Sequence, residues 1–216
     1  MKVFLDFDDV LFNTKKFVVD YKKIFRLHGI SEDVYKKYYY DYLPNKKNSK
    51  LKKYISEPHI DKIGKEEGID VSALKQDIEV FLGTASKYVF SDVYDFLGSF
   101  KKNDSYLISY SKNKFLESKI KNSGVAKYFK KVVMTDSLKS LPVRDIMRED
   151  NIKKDEQVFF LDDRIEQIDD VKKHYKWIKT VFINRKEGRY QNIADDMCDF
   201  ECKNLKQAKK IILKNS

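Results

Sequence analysis

The chain has 216 residues, 42% of them hydrophobic, which is enough for one large domain or for a core domain carrying an insertion. No apolar run approaches a membrane span, and the first apolar stretch turns acidic too early for a signal peptide, so the expectation is a cytoplasmic protein with no membrane partner. The net charge of +10 invites a nucleic-acid partner, yet only six of the 44 basic residues are Arg (26, 144, 148, 164, 185 and 189), the residue suited to bidentate phosphate and base contacts. Nucleic acid is therefore not the expected ligand, and dispersed Lys serves instead to steer small anions such as phosphate esters.

Val3-Phe4-Leu5 starts a short apolar run that breaks into Asp6, Asp8 and Asp9, with Val10-Leu11 beyond. Such a run reads as a buried strand, and buried strands do not carry clustered acids without a reason. One Asp would serve as a helix cap, and three exceed that need. Placed at the carboxyl end of a strand, they lie where open α/β sheets bind ligands.

From Thr14 onward the pattern turns helical. Phe17, Tyr21, Ile24 and His28 share one face of a helix that ends at Gly29. A Tyr-rich piece (35–42), Pro44 and a polar linker (45–49) follow. A further helical stretch begins near Ser49, is interrupted at Pro58, and gives way to an amphipathic helix over 71–81. Little in this block resembles a strand.

After residue 86 strands and helices alternate. Helices are predicted over 92–100, 112–122, 143–149, from Asp163 through Lys173, and over 205–213. Strands are predicted over 105–108, 132–134, 157–161, 180–184 and 198–201. This alternation means a Rossmann-like parallel sheet with right-handed crossovers, and the helical block then becomes an insertion after the first strand. Cys198 and Cys202, four residues apart, make neither a disulfide framework nor a complete zinc site, and fit a reducing compartment.

Three strands end in polar groups: Asp6/Asp8, Ser109 and Asp162/Asp163, with Lys139 on a loop between the last two. In a parallel sheet these carboxyl ends share one edge, so the groups can meet in one crevice. Carboxylates hold Mg²⁺ together with a substrate phosphate, and Ser and Lys hydrogen-bond and neutralise phosphate oxygens.

At these positions the chain resembles the haloacid dehalogenase-like hydrolases, a superfamily made up mostly of phosphatases. Asp6-Phe7-Asp8-Asp9-Val10 matches its first motif, Ser109 its second, Lys139 its third and Asp162-Asp163 its fourth; Tyr128–Val133 resembles the run between the second and third. The resemblance implies an α/β catalytic core over 1–13 and 86–216 with a helical cap over 14–85. It implies Asp6 as nucleophile, Asp8 as general acid and base, and Ser109 and Lys139 as phosphate-binding groups. Mg²⁺ would be held by Asp6, Asp8 (through its carbonyl) and Asp163, with Asp162 acting through water. The implied activity is Mg²⁺-dependent hydrolysis of a small phosphorylated metabolite through an aspartyl-phosphate. A sugar phosphomutase is the neighbouring alternative, whereas a dehalogenase has no need of Asp8.

Several positions depart from the family's habit. Asp9 stands where Gly is frequent, Tyr110 where a smaller residue is common, Ser140 where Pro often follows the Lys, and Gln167 where Asp or Asn often supports the metal. The interleaved Tyr and Lys of 35–54 can stack on bases, which keeps a nucleotide substrate, or a protein that binds nucleotide or nucleic acid through the insert, among the readings.

Overall fold

The computed structural model describes residues 1–42 and 54–215. Six strands form one sheet: β1 (Lys2–Leu5), β2 (Ser105–Tyr110), β3 (Lys131–Thr135), β4 (Val158–Asp162), β5 (Lys179–Ile183) and β6 (Phe200–Cys202). They are ordered β3-β2-β1-β4-β5-β6 and every neighbouring pair is parallel. The fold is therefore α/β and Rossmann-like. The first strand is central, and the order reverses between β1 and β4, the switch point at which such sheets open a crevice.

Period-two alternation divides the central strands between two cores. Phe4, Tyr106, Ile108, Val158 and Phe160 face one side, where they meet α7 (Ser140–Glu149) and α8 (Ile165–His174) through Val143, Ile146, Ile168 and Val171. Val3, Leu5, Leu107, Phe159 and Leu161 face the other, against α5 (Val93–Leu97), α6 (Lys114–Ser123) and α9 (Leu205–Lys214). Both faces are covered, which is why the strands read as near-continuous apolar runs. Asn side chains at 113 and 204 accept from Leu116 and Gln207 backbone N–H groups and so start α6 and α9.

Between β1 and β2 lie α1 (Thr14–Leu27), α2 (Glu32–Tyr42), α3 (Ser56–Glu67) and α4 (Ser72–Leu82), with no strand among the described residues of 14–85. Gly29, at φ 76°, carries the chain out of α1 as its position suggested. The chain segments entering and leaving this block pair antiparallel. Phe12 bridges Val89, Asn13 N–H donates to Tyr88 C=O at 2.7 Å, and Phe90 N–H to Leu11 C=O at 3.0 Å. No helix among the described residues is long and apolar enough to cross a membrane.

Three details depart from the sequence-based expectation. Pro58 does not interrupt a helix; it sits in the first turn of α3, where its missing N–H would have had no partner anyway. The helix expected over 92–100 shrinks to the five residues of α5. The last strand moves to 200–202, leaving Cys198 in a turn, and both cysteines are free thiols. The polar linker over 45–49 lies outside the described residues.

Arg185, just beyond β5, clasps the core. It is buried, donates to Val10 C=O at 3.1 and 3.0 Å, pairs with Asp92 at 2.8 Å, and lies 4.0 Å from the Phe90 ring centroid. Asp92 also accepts from Leu205 N–H at 2.8 Å, so one ion pair ties the loop after β1 to both α5 and α9. Arg185→Ala strands a buried carboxylate and is expected to cost about 3–5 kcal/mol in urea unfolding. A loss under about 1 kcal/mol would place the pair among weak surface bridges.

Candidate active site

At the carboxyl edge of β1, β2 and β4 a cavity of about 340 Å³ opens toward α1 and α2. The structure brings Asp6, Asp8, Ser109, Lys139 and Asp163 to its wall, and Asp162 lies directly behind Lys139. All six positions singled out from the sequence thus meet in one place.

Asp6 follows β1 and extends its ladder, its N–H donating to Leu161 C=O at 2.9 Å, so that it sits side by side with the end of β4. Lys139 precedes α7 and is 1% exposed. Its ammonium donates to Asp6 and, at 2.7 Å, to Asp162. Burial alone would lower the Lys139 pKa, but the carboxylates of Asp162 and Asp6 more than offset this, and it stays protonated above its ordinary value. Burial lifts Asp6 to about 7 despite the opposing pull of Lys139. Asp163 is raised well above the usual carboxylate range, first by burial and then by the charges of Asp6 and Asp162.

Asp8 stands in a different field. Its Oδ1 accepts from Thr14 Oγ1 and from Lys119 Nζ, each at 2.6 Å. Burial would raise it, but Lys119 and then Arg189 bring it down to about 2, so the resting group is a carboxylate. Lys119, on α6, is itself buried, its ammonium within 4.8–5.5 Å of the Phe12, Phe17 and Phe7 ring centroids.

The family departures acquire physical reasons. Asp9 adopts φ 58°, a conformation open to Gly and tolerated by Asp, and Arg189 Nε secures it at 2.5 Å. Gln167 does not support a metal through a carboxylate. Its Oε1 accepts from Lys139 N–H at 3.1 Å while Asp170, a turn later, accepts from Ser140 N–H at 2.7 Å, so α8 holds the Lys139 loop. Tyr110 lines the cavity. Thr14, Lys119 and Arg189 are site residues that sequence reasoning missed. Thr14 opens α1, as its position after Asn13 signals, but nothing local separates Lys119 from the many other lysines.

One carboxylate oxygen from each of Asp6, Asp162 and Asp163 lies within 4.8 Å of the others. Asp163 Oδ2 and Ser109 Oγ are buried with no hydrogen-bond partner among the described residues. Lys139 is bonded to Asp6 and Asp162, while Lys119 and Arg189 pair with Asp8 and Asp9. An orphaned carboxylate oxygen in a buried cluster of three acids suits a hard divalent cation, and an orphaned serine hydroxyl in the same cavity suits an anion.

The profile of the haloacid dehalogenase-like hydrolases matches residues 3–174, and the chain belongs to that family. No curated protein sequence matches significantly. Among solved structures, a haloacid dehalogenase-like hydrolase from Burkholderia xenovorans LB400 superposes with a TM-score of 0.72 at 16% identity, over 98% of this chain and 96% of that one. The HAD-hydrolase YfnB from Bacillus subtilis, bound to magnesium, gives 0.62 at 14% identity over 98% and 97%. L-2-haloacid dehalogenase from Xanthobacter autotrophicus gives 0.65 at 12% over the full length of both chains. At these identities the structures share the fold with this chain.

If the orphaned cluster is a cation site, Mg²⁺ should raise the melting temperature of the wild-type protein, with about 2.7 kcal/mol of added stability at a hundredfold excess over Kd. Asp163→Asn should abolish that increment. A Mg²⁺-induced shift of equal size in Asp163→Asn would move the ion elsewhere.

Proposed function

We propose that this protein is a Mg²⁺-dependent phosphatase that hydrolyses a small phosphomonoester through an aspartyl-phosphate on Asp6, with residues 1–13 and 86–216 as the catalytic core and 14–85 as a cap over the site. The observation that carries the reading is the pairing of two differently poised carboxylates, Asp6 and Asp8, on one cavity wall beside a buried cluster of acids. Bound Mg²⁺, held by Asp6, Asp163 and the Asp8 carbonyl with Asp162 behind, would screen the phosphate dianion from the nucleophile.

Lys139 fixes the Asp6 carboxylate and neutralises charge next to it. Ser109 Oγ, lacking a partner among the described residues, is free to donate to a phosphoryl oxygen. Asp6 attacks phosphorus, forming an Oδ–P bond as the ester P–O bond breaks, and the leaving oxygen takes a proton from Asp8. Asp8, a carboxylate at rest, takes up that proton from the monoanionic form of the ester as it binds, since the negative charge brought in beside it opposes the hold of Lys119 and Arg189. Once the alcohol departs, the Asp8 carboxylate withdraws a proton from water, which attacks phosphorus and frees Asp6 and inorganic phosphate.

Asp8 also favours this reading over dehalogenation, because a halide leaves without a proton and needs no acid. Its contacts to Thr14 and Lys119 aim it at the cavity rather than at the core. A phosphomutase would need cap cations to anchor a second phosphate. The lysines that α1 and α2 bring to the cavity, Lys22 and Lys36, both pair with Glu32, at 3.5 and 3.2 Å.

Release of phosphate from a panel of sugar phosphates, nucleotides and phosphorylated acids should disappear in EDTA and return with Mg²⁺; full turnover in chelator would sink the proposal. Asp6→Asn is close to isosteric and should leave the fold intact while lowering kcat at least about a thousandfold, as expected when a covalent nucleophile is removed. Beryllium fluoride should lodge against the Asp6 carboxylate of the wild-type protein. Appreciable turnover by folded Asp6→Asn excludes catalysis through that residue.

A further inference from the structure

The cavity wall opposite the acids is aromatic. Tyr39 from α2, Tyr54 ahead of α3 and Phe115 from α6 are half-buried and line it, with ring centroids 5.2 Å (Tyr39–Tyr54) and 5.7 Å (Tyr54–Phe115) apart. Behind them, Tyr21 is buried and sits 5.3 Å from Phe115. The panel is fixed to the catalytic edge of the sheet. Phe115 lies six residues beyond Ser109, and Asn113, which caps α6, also donates to Tyr54 C=O at 3.2 Å.

The hydroxyls of Tyr21 and Tyr54 are already committed. His59 is buried, and burial pushes its pKa down to about 4, so its ring is neutral. Its Nε2 lies 3.0 Å from Tyr35 C=O, which can only accept, so Nε2 carries the proton and Nδ1 accepts from Tyr54 O–H at 3.0 Å. The Tyr54 oxygen then accepts from Tyr21 O–H at 3.0 Å, and the Tyr21 oxygen from Ser56 O–H at 2.5 Å. The order Ser56→Tyr21→Tyr54→His59→Tyr35 runs one way and uses the hydroxyl hydrogens of Ser56, Tyr21 and Tyr54. What Tyr21 and Tyr54 offer the cavity is ring surface, with no hydroxyl hydrogen left to recognise a polyol.

We propose that the alcohol half of the substrate carries a flat aromatic or heteroaromatic ring, which stacks on the Tyr39–Tyr54–Phe115 panel while the phosphoryl group sits against Asp6 and Ser109. This rests on the phosphatase reading above and adds the leaving-group class to it. The cavity, at about 340 Å³, is within the range of clefts that hold small organic ligands, and Phe115, on a helix of the core, ties one end of the panel to the sheet edge that carries Ser109. A sugar ring laid on that panel would set hydroxyls against the faces of Tyr54 and Phe115, a penalty that a flat ring does not incur.

The test uses the full-length protein with Mg²⁺ and matched pairs of esters. Benzyl phosphate is compared with cyclohexylmethyl phosphate, whose alcohols differ in ring shape more than in acidity. Nucleoside 5′-monophosphates are compared with ribose 5-phosphate, which lacks only the base. Acetyl phosphate, an activated substrate with no ring, reports the core chemistry. The flat member of each pair should have a kcat/KM higher by about ten- to a hundredfold, the range that stacking on an aromatic side chain supplies. Phe115→Leu should shrink both ratios, and the wild-type comparison stands without it should that variant fail to fold. Equal kcat/KM within both pairs, or preference for the puckered ring or the bare sugar, with acetyl phosphate still hydrolysed, overturns the ring proposal and leaves the phosphatase reading standing. Loss of acetyl phosphate turnover as well, in folded protein with Mg²⁺, overturns both.

Discussion

The buried ammonium of Lys139 is the contact on which the rest of the site depends. It arrives from the loop before α7 and lies between the carboxylate that ends β1 and one that ends β4. Parallel strands β1 and β4 bring Asp6 and Asp162 side by side, and without a cation the two charges would repel at the sheet's switch point. The loop is held in turn from α8, where Gln167 and Asp170 accept the backbone N–H groups of Lys139 and Ser140. Backbone register, a side-chain ammonium and a helix at the sheet's flank thus form one connected device.

The same cavity gives its two leading carboxylates opposite environments. Burial, with Asp162 and Asp8 beside it, lifts Asp6 against the pull of Lys139, while Lys119 and Arg189 overcome burial at Asp8 and hold it ionised. Separation of this kind is how one pocket assigns different tasks to chemically identical groups. It arises from the fold: Asp6 faces the acids ending β4, whereas Asp8, two residues on, faces α6 and the loop after β5.

Much of this could be read from the chain. Acids that interrupt buried strands are so unfavourable that Asp6, Asp162 and Asp163 announce themselves, and the order of the strands implied their meeting. The sheet and most of its helices were legible for the same reason, since period-two and helical patterns are set by burial. Lys119 was not legible, because its role comes entirely from contacts with Asp8 and three phenylalanine rings, and no local pattern marks it out from other lysines. Gln167 stood out as a departure where Asp or Asn is usual, but its actual partner, the backbone N–H of Lys139, carries no sequence signal. The tyrosines of the insert were seen as a composition. Their meaning lies in the direction of a hydrogen-bond chain that runs through Ser56 and His59, residues with no spacing signal linking them to Tyr21.

The position of β1 has a consequence for biosynthesis. Among the strands of this sheet, β1 is synthesised before its neighbours, and its partners are residues 105–107 on one side and 158–161 on the other. Val3, Phe4 and Leu5, shielded on both faces in the folded protein, therefore wait with neither hydrogen-bonding edge occupied until residues 105–107 have been made. The helices of 14–85 emerge next and can bury Phe7, Phe12 and Phe17 with local partners well before the sheet exists. A nascent chain stalled before residue 158 would carry an apolar strand with one edge permanently open, the kind of segment that chaperones bind and that seeds association between chains.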